Sequence, residues 1–328
     1  MASLPTPRKL WNHPSPTSTA MYAFMQRANA KHNLNLTSYS DLYNWSIGPS
    51  RTLFWSLMWD TAHLIHSGSF TTVVDTAAPM DTIPHWFAGT YLNFAENILY
   101  SADPNDVSKR CTRGKEDSKV AVTTTGWIMY LVSIQSLITG ARSIFYDGSP
   151  FHPTPLAFLS LLSSQRVTDL GTSPRFLHEL QKLSITPRTQ FDLSALRSVC
   201  TTGMVLSDSL FTWFYDTGFP PAVHLRNISG GTDLAGCFGI MNPLDPVYVG
   251  GCQGPVLGTK VEVYDALVEA GEGRAVPDGE PGELVATASF PNQPVGFWGD
   301  DAEKRYHDAY YAREGRRGAE SEWGAVRE

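Results

Sequence analysis

Residues 196–233 read LRSVCTTGMVLSDSLFTWFYDTGFPPAVHLRNISGGTD. The order they predict is strand, helix, strand. Leu196–Thr201 is a short apolar run closed by Gly203. Ser207–Tyr215 carries apolar and aromatic residues at helical spacing, and Ser207 can accept a bond from the free N–H groups of the first turn. Val223–Asn227 is a second strand, and it leads into Ser229-Gly230-Gly231-Thr232-Asp233. Parallel strands need a crossover between them, usually a helix, so this unit argues for an α/β sheet.

The same alternation extends upstream. Trp127–Thr139 predicts a long apolar helix ended by Gly140, and Ser143–Tyr146 a buried strand followed by the turn Asp147-Gly148-Ser149-Pro150. Thr154–Ser164 reads as a helix, Val167–Leu170 as a strand and Ser173–Leu183 as a helix. Val120-Ala121-Val122 is a short strand-like run ahead of them. The expected architecture is a parallel sheet with helices on both faces. Four stretches before it have helical spacing: Met21–Asn33, Ser38–Ile47 with Ser40 as N-cap, Leu53–Ile65 and Trp86–Tyr100. After Gly250 the pattern turns to strands (Lys260–Tyr264, Gly282–Thr287) with Gly and Pro between. The expected organisation is a helical region with a charged linker over 1–119, an α/β core over 120–249, a small β subdomain over 250–299 and a charged, divergent tail over 300–328.

The chain has 328 residues, 42% apolar and 17% charged. This is enough apolar material for a core, which excludes wholesale disorder. A net charge of −7 argues against a nucleic-acid partner, because phosphate binding needs a basic face. No run approaches the roughly 20 apolar residues of a membrane span, and no signal peptide opens the sequence. Four cysteines without a C-x-x-C pair suit a reducing, cytoplasmic setting.

Among residues able to carry chemistry, Ser229–Asp233 comes first. Ligands of open parallel sheets sit beyond the carboxyl ends of the strands. Two glycines permit close approach to the backbone, a threonine hydroxyl can meet a phosphate, and an aspartate can hold Mg²⁺. A plain Gly-Gly turn is the competing reading. Thr123-Thr124-Thr125-Gly126-Trp127 imitates a phosphate loop but has no lysine at useful spacing, which leaves a pocket turn or a simple strand-to-helix junction. His63, His66 and His85 have no Cys or acidic ligand grouped with them, and Cys200 has no histidine placed beside it.

Several blocks together resemble the acetoacetyl-CoA synthetase branch of the adenylate-forming acyl-CoA synthetases. They are LWNHPSP at 10–16, WFAGTYLNFAEN at 86–97, KEDSKVAV at 115–122, TTTGWIMYL at 123–131, YDGSPF at 146–151, TGMVLSD at 202–208, FPPAVHLRNISGGTDLAG at 219–236, YVGGCQG at 248–254, PGELVA at 281–286 and FWGD at 297–300. The resemblance implies an acid–thiol ligase. A carboxylic acid such as acetoacetate attacks the α-phosphate of ATP, and the thiol of CoA then displaces AMP. It implies that Gly203, Met204 and Val205, with Ser229, Gly230 and Gly231, line the nucleotide, and that Thr232 meets the α-phosphate. Asp233 would lie near Mg²⁺, where relatives more often carry Glu. Trp127, Ile128 and Met129 would line the acyl pocket. Gly230 stands where acetyl-CoA synthetases carry Trp, which implies a pocket open to a longer acid.

The sequence also departs from that pattern. The loop S-G-T-T-G-x-P-K that wraps the outer phosphates has no counterpart, and Val122 abuts Thr123, so the chain reads as internally deleted. It diverges near Arg313, before the C-terminal domain with the adenylation lysine. Each lost transition-state donor costs on the order of 10²–10³ in rate. The expectation is a chain inactive on its own, with an open sheet edge and exposed apolar surface. Two other readings stay open: a degenerate, non-catalytic relative that binds AMP or a protein partner, and the product of a mispredicted gene.

Overall fold

The computed structural model describes residues 7–100, 114–267, 273–311 and 319–320. The N-terminal region begins with strand β1 (Lys9–Trp11), then helices α1 (Ala20–His32), α2 (Tyr39–Ile47) and α3 (Arg51–Ala62). The cap of α2 is Ser38, two residues before the expected Ser40. Its hydroxyl accepts from the Asp41 N–H, and the Asp41 carboxylate accepts from the Ser38 N–H, a reciprocal capping box. Strand β2 (His66–Gly68) pairs with β3 (Thr90–Leu92), so the helix expected over Trp86–Tyr100 shrinks to α4 (Phe94–Leu99). Asn93 caps it, accepting from the Glu96 N–H.

Strand β4 (Gly114–Ala121) opens the central unit, followed by α5 (Ile128–Gln135), β5 (Ala141–Ile144), α6 (Pro155–Ser164), β6 (Asp169–Thr172), α7 (Pro174–Lys182) and α8 (Pro187–Gln190). Strand β7 (Ser198–Thr201), α9 (Asp208–Trp213) and β8 (His224–Asn227) complete it. The five strands form one parallel sheet in the order β5-β4-β6-β7-β8. Val120, Leu170, Val199 and Leu225 lie opposite one another in register and are all buried. Alternate residues of a strand share a face, so this row makes one apolar face. Phe158, Leu162, Phe176, Leu180, Phe211 and Phe214 join it in a single core, which places α6, α7 and α9 there.

The opposite face is polar. Lys119, Asp169, Ser198 and His224 align across it, and Cys200 and Arg226 follow two residues later. Helix α5 covers part of this face. Met129 is buried, its Cε near Gly171, and Lys119 Nζ donates to the Val132 carbonyl at 3.4 Å. This polarity explains why β4 begins inside the stretch expected to be a charged linker. The Ser118 hydroxyl donates to the Arg166 carbonyl at 3.0 Å, and Arg197 pairs with Asp117 at 2.6 Å. Charged residues here serve a central strand because neighbouring strands answer them.

Strand β5, expected to be buried, pairs only with β4 among the described residues and is half-exposed. Phe145 just beyond it is 61% exposed, and Leu131 and Ile138 nearby are exposed as well. The expected open edge and apolar surface are therefore at this side of the sheet.

Beyond β8 lie β9 (Ser229–Gly231), β10 (Gly236–Ile240), β11 (Val247–Tyr248) and β12 (Gly254–Pro255). They are followed by β13 (Val261–Tyr264), β14 (Glu283–Ala286), α10 (Ala302–Tyr310) and β15 (Ala319–Glu320). Strands β9, β10 and β12 form one small antiparallel sheet, and β13–β15 another. Helix α10 falls in the region expected to be a charged tail. It folds because Tyr306 and Tyr311 are buried with Phe297, Met80 and Ile83 against them. No described helix is long and apolar enough to cross a membrane.

Candidate functional site

The carboxyl ends of β4, β7 and β8 bring three separate motifs together. Ile228 N–H donates to the Thr201 carbonyl at 3.0 Å, which sets the end of β8 beside the Thr202–Gly203 loop. Gly203 has φ +89, and a Cβ there would stand 3.1 Å from the Trp127 ring. The left-handed backbone favours glycine, and the indole leaves little room for a Cβ. Trp127 in turn precedes the first residue of α5. Met204 and Val205 are exposed on the rim, Ile128 is half-buried, and Met129 is turned into the sheet.

Ser229-Gly230-Gly231 is a strand rather than a turn. Gly231 and Gly230 pair with Gly236 and Cys237 of β10, and the reversal falls at Thr232–Ala235. Ala235 takes the left-handed conformation there, at φ +49. A Cβ at Gly230 would lie 2.1 Å from the Gly236 carbonyl oxygen and 2.7 Å from the Cys237 Cα. The hairpin itself therefore requires glycine at 230, whatever else the position does. Gly230→Ala is expected to destabilise the fold by about 1–3 kcal/mol through backbone displacement. A urea unfolding curve superimposable on that of the parent chain would contradict this.

Thr232 and Asp233 sit at the exposed tip of the hairpin. Two residues that the sequence did not point to hold that tip. The Asn292 side chain donates to the Leu234 carbonyl at 2.6 Å, and the Tyr310 hydroxyl donates to Asp233 Oδ2. Neither lies near the motif in sequence, so no local signal could have revealed them.

The three described thiols offer no nucleophile. Burial pushes Cys237 up to about 12 and Cys252 to about 11, and Cys200 is likewise raised by burial. Such thiols stay protonated and inert near neutrality. Among the described residues no three His, Cys, Asp or Glu side chains group as metal ligands, and His63 instead closes α3 in a left-handed conformation.

The donor set can be tested against the groups the resemblance implies. An exposed threonine hydroxyl, the outer backbone edge of β9 and the exposed Met204 and Val205 side chains suit a nucleoside monophosphate. Asp233 suits Mg²⁺ bound in its usual manner, through one or two carboxylates with phosphate and water completing the shell.

Residues 89–289, more than half of the chain, match the family described as AMP-binding enzyme. The chain belongs to that family. An acetoacetyl-coenzyme A synthetase from Rhizobium meliloti is 41% identical over 191 residues, which are 58% of this chain and 28% of the relative. The acetoacetyl-CoA synthetase of Xenopus tropicalis is 35% identical over 239 residues, covering 73% of this chain and 33% of the relative. This member of the AMP-binding enzyme family thus spans about a third or less of the length of the curated relatives it matches. In fold it is similar to the solved acetoacetyl-CoA synthetase from Streptomyces lividans, with a TM-score of 0.80 at 19% identity over 96% of this chain and 77% of that one. An anthranilate CoA ligase solved with anthranoyl-AMP matches 63% of this chain and 37% of its own, with a TM-score of 0.51 at 19% identity.

Proposed function

We propose that this chain carries the adenylate-binding half-site of an acetoacetyl-CoA synthetase-type acid–thiol ligase and, by itself, binds the AMP portion without completing ligation. The observation that carries this reading is the meeting of Trp127, Gly203 and the Ser229–Asp233 hairpin at the carboxyl end of one parallel sheet. That is where ligands of open α/β sheets bind. The names of the relatives support acetoacetate as the acid and CoA as the acceptor.

In this reading Gly203, Met204 and Val205 lie along the nucleotide, and the edge of β9 offers backbone groups to it. The Thr232 hydroxyl donates to the α-phosphate. Asp233 holds the divalent cation, which when bound would neutralise phosphate charge. Trp127, Ile128 and Met129 stand toward the acyl side, beside Gly230, whose lack of a side chain the pairing with β10 already requires. The sequence has no loop of the S-G-T-T-G-x-P-K form to hold the outer phosphates of ATP. This favours a second reading of the same site, a non-catalytic AMP-binding module. Among the described residues three protonated thiols stand without a disulfide, which suits a cytoplasmic setting.

Isothermal titration with AMP, ATP and acetoacetate tests the proposal, alongside an assay of acetoacetate-dependent pyrophosphate release. The expected result is binding of AMP, no gain in affinity from the two outer phosphates of ATP, and no pyrophosphate release. Absence of binding by either nucleotide would overturn the half-site. Pyrophosphate release dependent on acetoacetate would overturn the claim of incompleteness and restore the complete ligase reaction to these residues.

A further inference from the structure

Helix α10 reaches the hairpin tip through one side chain. Tyr310, its last residue, donates its phenol hydrogen to Oδ2 of Asp233. The helix is not free to swing away. Tyr306 is buried, its ring 5.0 Å from that of Tyr310 and 5.5 Å from that of Phe297. Gln293 donates to the Tyr311 hydroxyl at 2.7 Å and to the Met80 carbonyl at 2.8 Å. Its neighbour Asn292 holds the Leu234 carbonyl. One loop thus fixes both the hairpin turn and the helix that supplies Tyr310. The proximity is also felt electrostatically: burial raises the Tyr306 phenol, and the Asp233 charge raises it further.

We propose that Tyr310 is a positioning residue for the Asp233 carboxylate, holding one oxygen so that the group is set for a nucleotide-bound divalent cation. This rests on the half-site reading of Asp233. A carboxylate has about four acceptor positions, so a single phenol donor leaves most of its capacity open. Ligating carboxylates are themselves commonly held by hydrogen bonds, and loss of such a support lowers metal affinity by roughly 10–100-fold. Because α10 is anchored by its own aromatic cluster, Tyr310 presents a fixed donor rather than one that must be ordered at each binding event.

Two measurements on the full chain test this. The first is amide hydrogen exchange along Ala302–Tyr310 in Tyr310→Phe, in Asp233→Asn and in the double variant. Each single change is expected to speed exchange in the last turn by about tenfold, as loss of a bond to a charged group would, and the double change no further. Multiplying effects would show that the two groups act independently and would overturn the proposal. The second is AMP affinity with Mg²⁺ and with chelator. Tyr310→Phe is expected to remove most of the Mg²⁺-dependent gain and to leave chelator-state affinity unchanged. An unchanged Mg²⁺ gain in the variant, or AMP binding by the parent with no Mg²⁺ response, would overturn the positioning role while leaving the half-site intact. No AMP binding at all would overturn the half-site and, with it, the cation role; the exchange cycle would then decide separately whether Tyr310 holds Asp233.

Discussion

Arg226→Ala is expected to destabilise the chain by about 2–3 kcal/mol, at or just under the lower end of the range for stripping one partner from a fully buried ion pair, because this pair is partly buried. Arg226 on β8 reaches across β7 to Asp169 on β6, with Nη2 3.1 Å from Oδ1. Their side chains are only 20% and 25% exposed. Burial pushes the Asp169 carboxyl up, but Arg226 foremost, then hydrogen bonds from Ser198 and Thr168 and the charge of Arg197, outweigh it and hold it below its ordinary value. Removing Arg226 leaves those smaller partners, which is why the low end of the range applies. A carboxylate with a lowered folded pKa contributes stability above its unfolded value of about 3.9 and loses it as pH falls through the folded value. The deficit of the variant should therefore shrink below about pH 4. Arg226→Met combined with Asp169→Asn should recover most of the loss, since neither charge is then buried alone. Urea unfolding of the three chains decides the matter. A single variant within 1 kcal/mol of the parent would mean that Arg197 and Lys119 already balance Asp169.

The same residues explain what could be seen in the sequence. The strand–helix–strand run at 196–233 was legible because its apolar stretches are bounded by Gly, Pro and a serine cap, all local signals. Strand β4 was legible only at its end, Val120-Ala121, since the polar residues before it look like solvated linker until Arg166, Thr168 and Arg197 from distant segments satisfy Asp117 and Ser118. Strand β9 was hidden for another reason. Ser229-Gly230-Gly231 has almost no side chains to show a period, and it becomes a strand only because β10 lies close enough to exclude a Cβ. Helix α10 was masked by its charge, although one buried tyrosine face suffices to dock nine residues.

At the site, Gly203, Thr232, Asp233 and Trp127 could be named because each belongs to a contiguous motif. Asn292 and Tyr310 could not, being 58 and 77 residues away from the groups they bind. The distinction is physical. Groups offered to a ligand cluster in short loops at strand ends, whereas the residues that hold those loops are recruited from wherever the chain happens to pack.

Stability should fall as pH drops from about 6.5 to about 4, and His224 should be the main cause. The ring stacks on Trp11 at 4.0 Å with the planes 5° apart, and its Nε2 lies 2.7 Å from Gln253 Oε1. Both donors of the Gln253 amide are committed, to the carbonyls of Asn242 at 2.9 Å and Asp245 at 2.8 Å. Its oxygen therefore faces the ring and accepts, which assigns the neutral ring a proton on Nε2. Burial first, then the nearby charges of Arg226 and His13, lower the His224 pKa from 6.5 to about 4 despite the bond to Gln253. Between those two values the unfolded chain binds a proton that the folded chain refuses, so stability decreases as pH falls through this window. The full loss is about 3 kcal/mol, complete near pH 4. Because Trp11 anchors β1 through its stack and its bond to the Ala222 carbonyl at 3.1 Å, the indole emission should report the same transition. His224→Gln removes the titrating group while keeping a polar side chain toward Gln253. Its unfolding midpoint should be lower at pH 7.5 but nearly level down to pH 4.5. A parent curve that is already level across the window, or a variant that keeps the parental slope, would assign the acid sensitivity elsewhere.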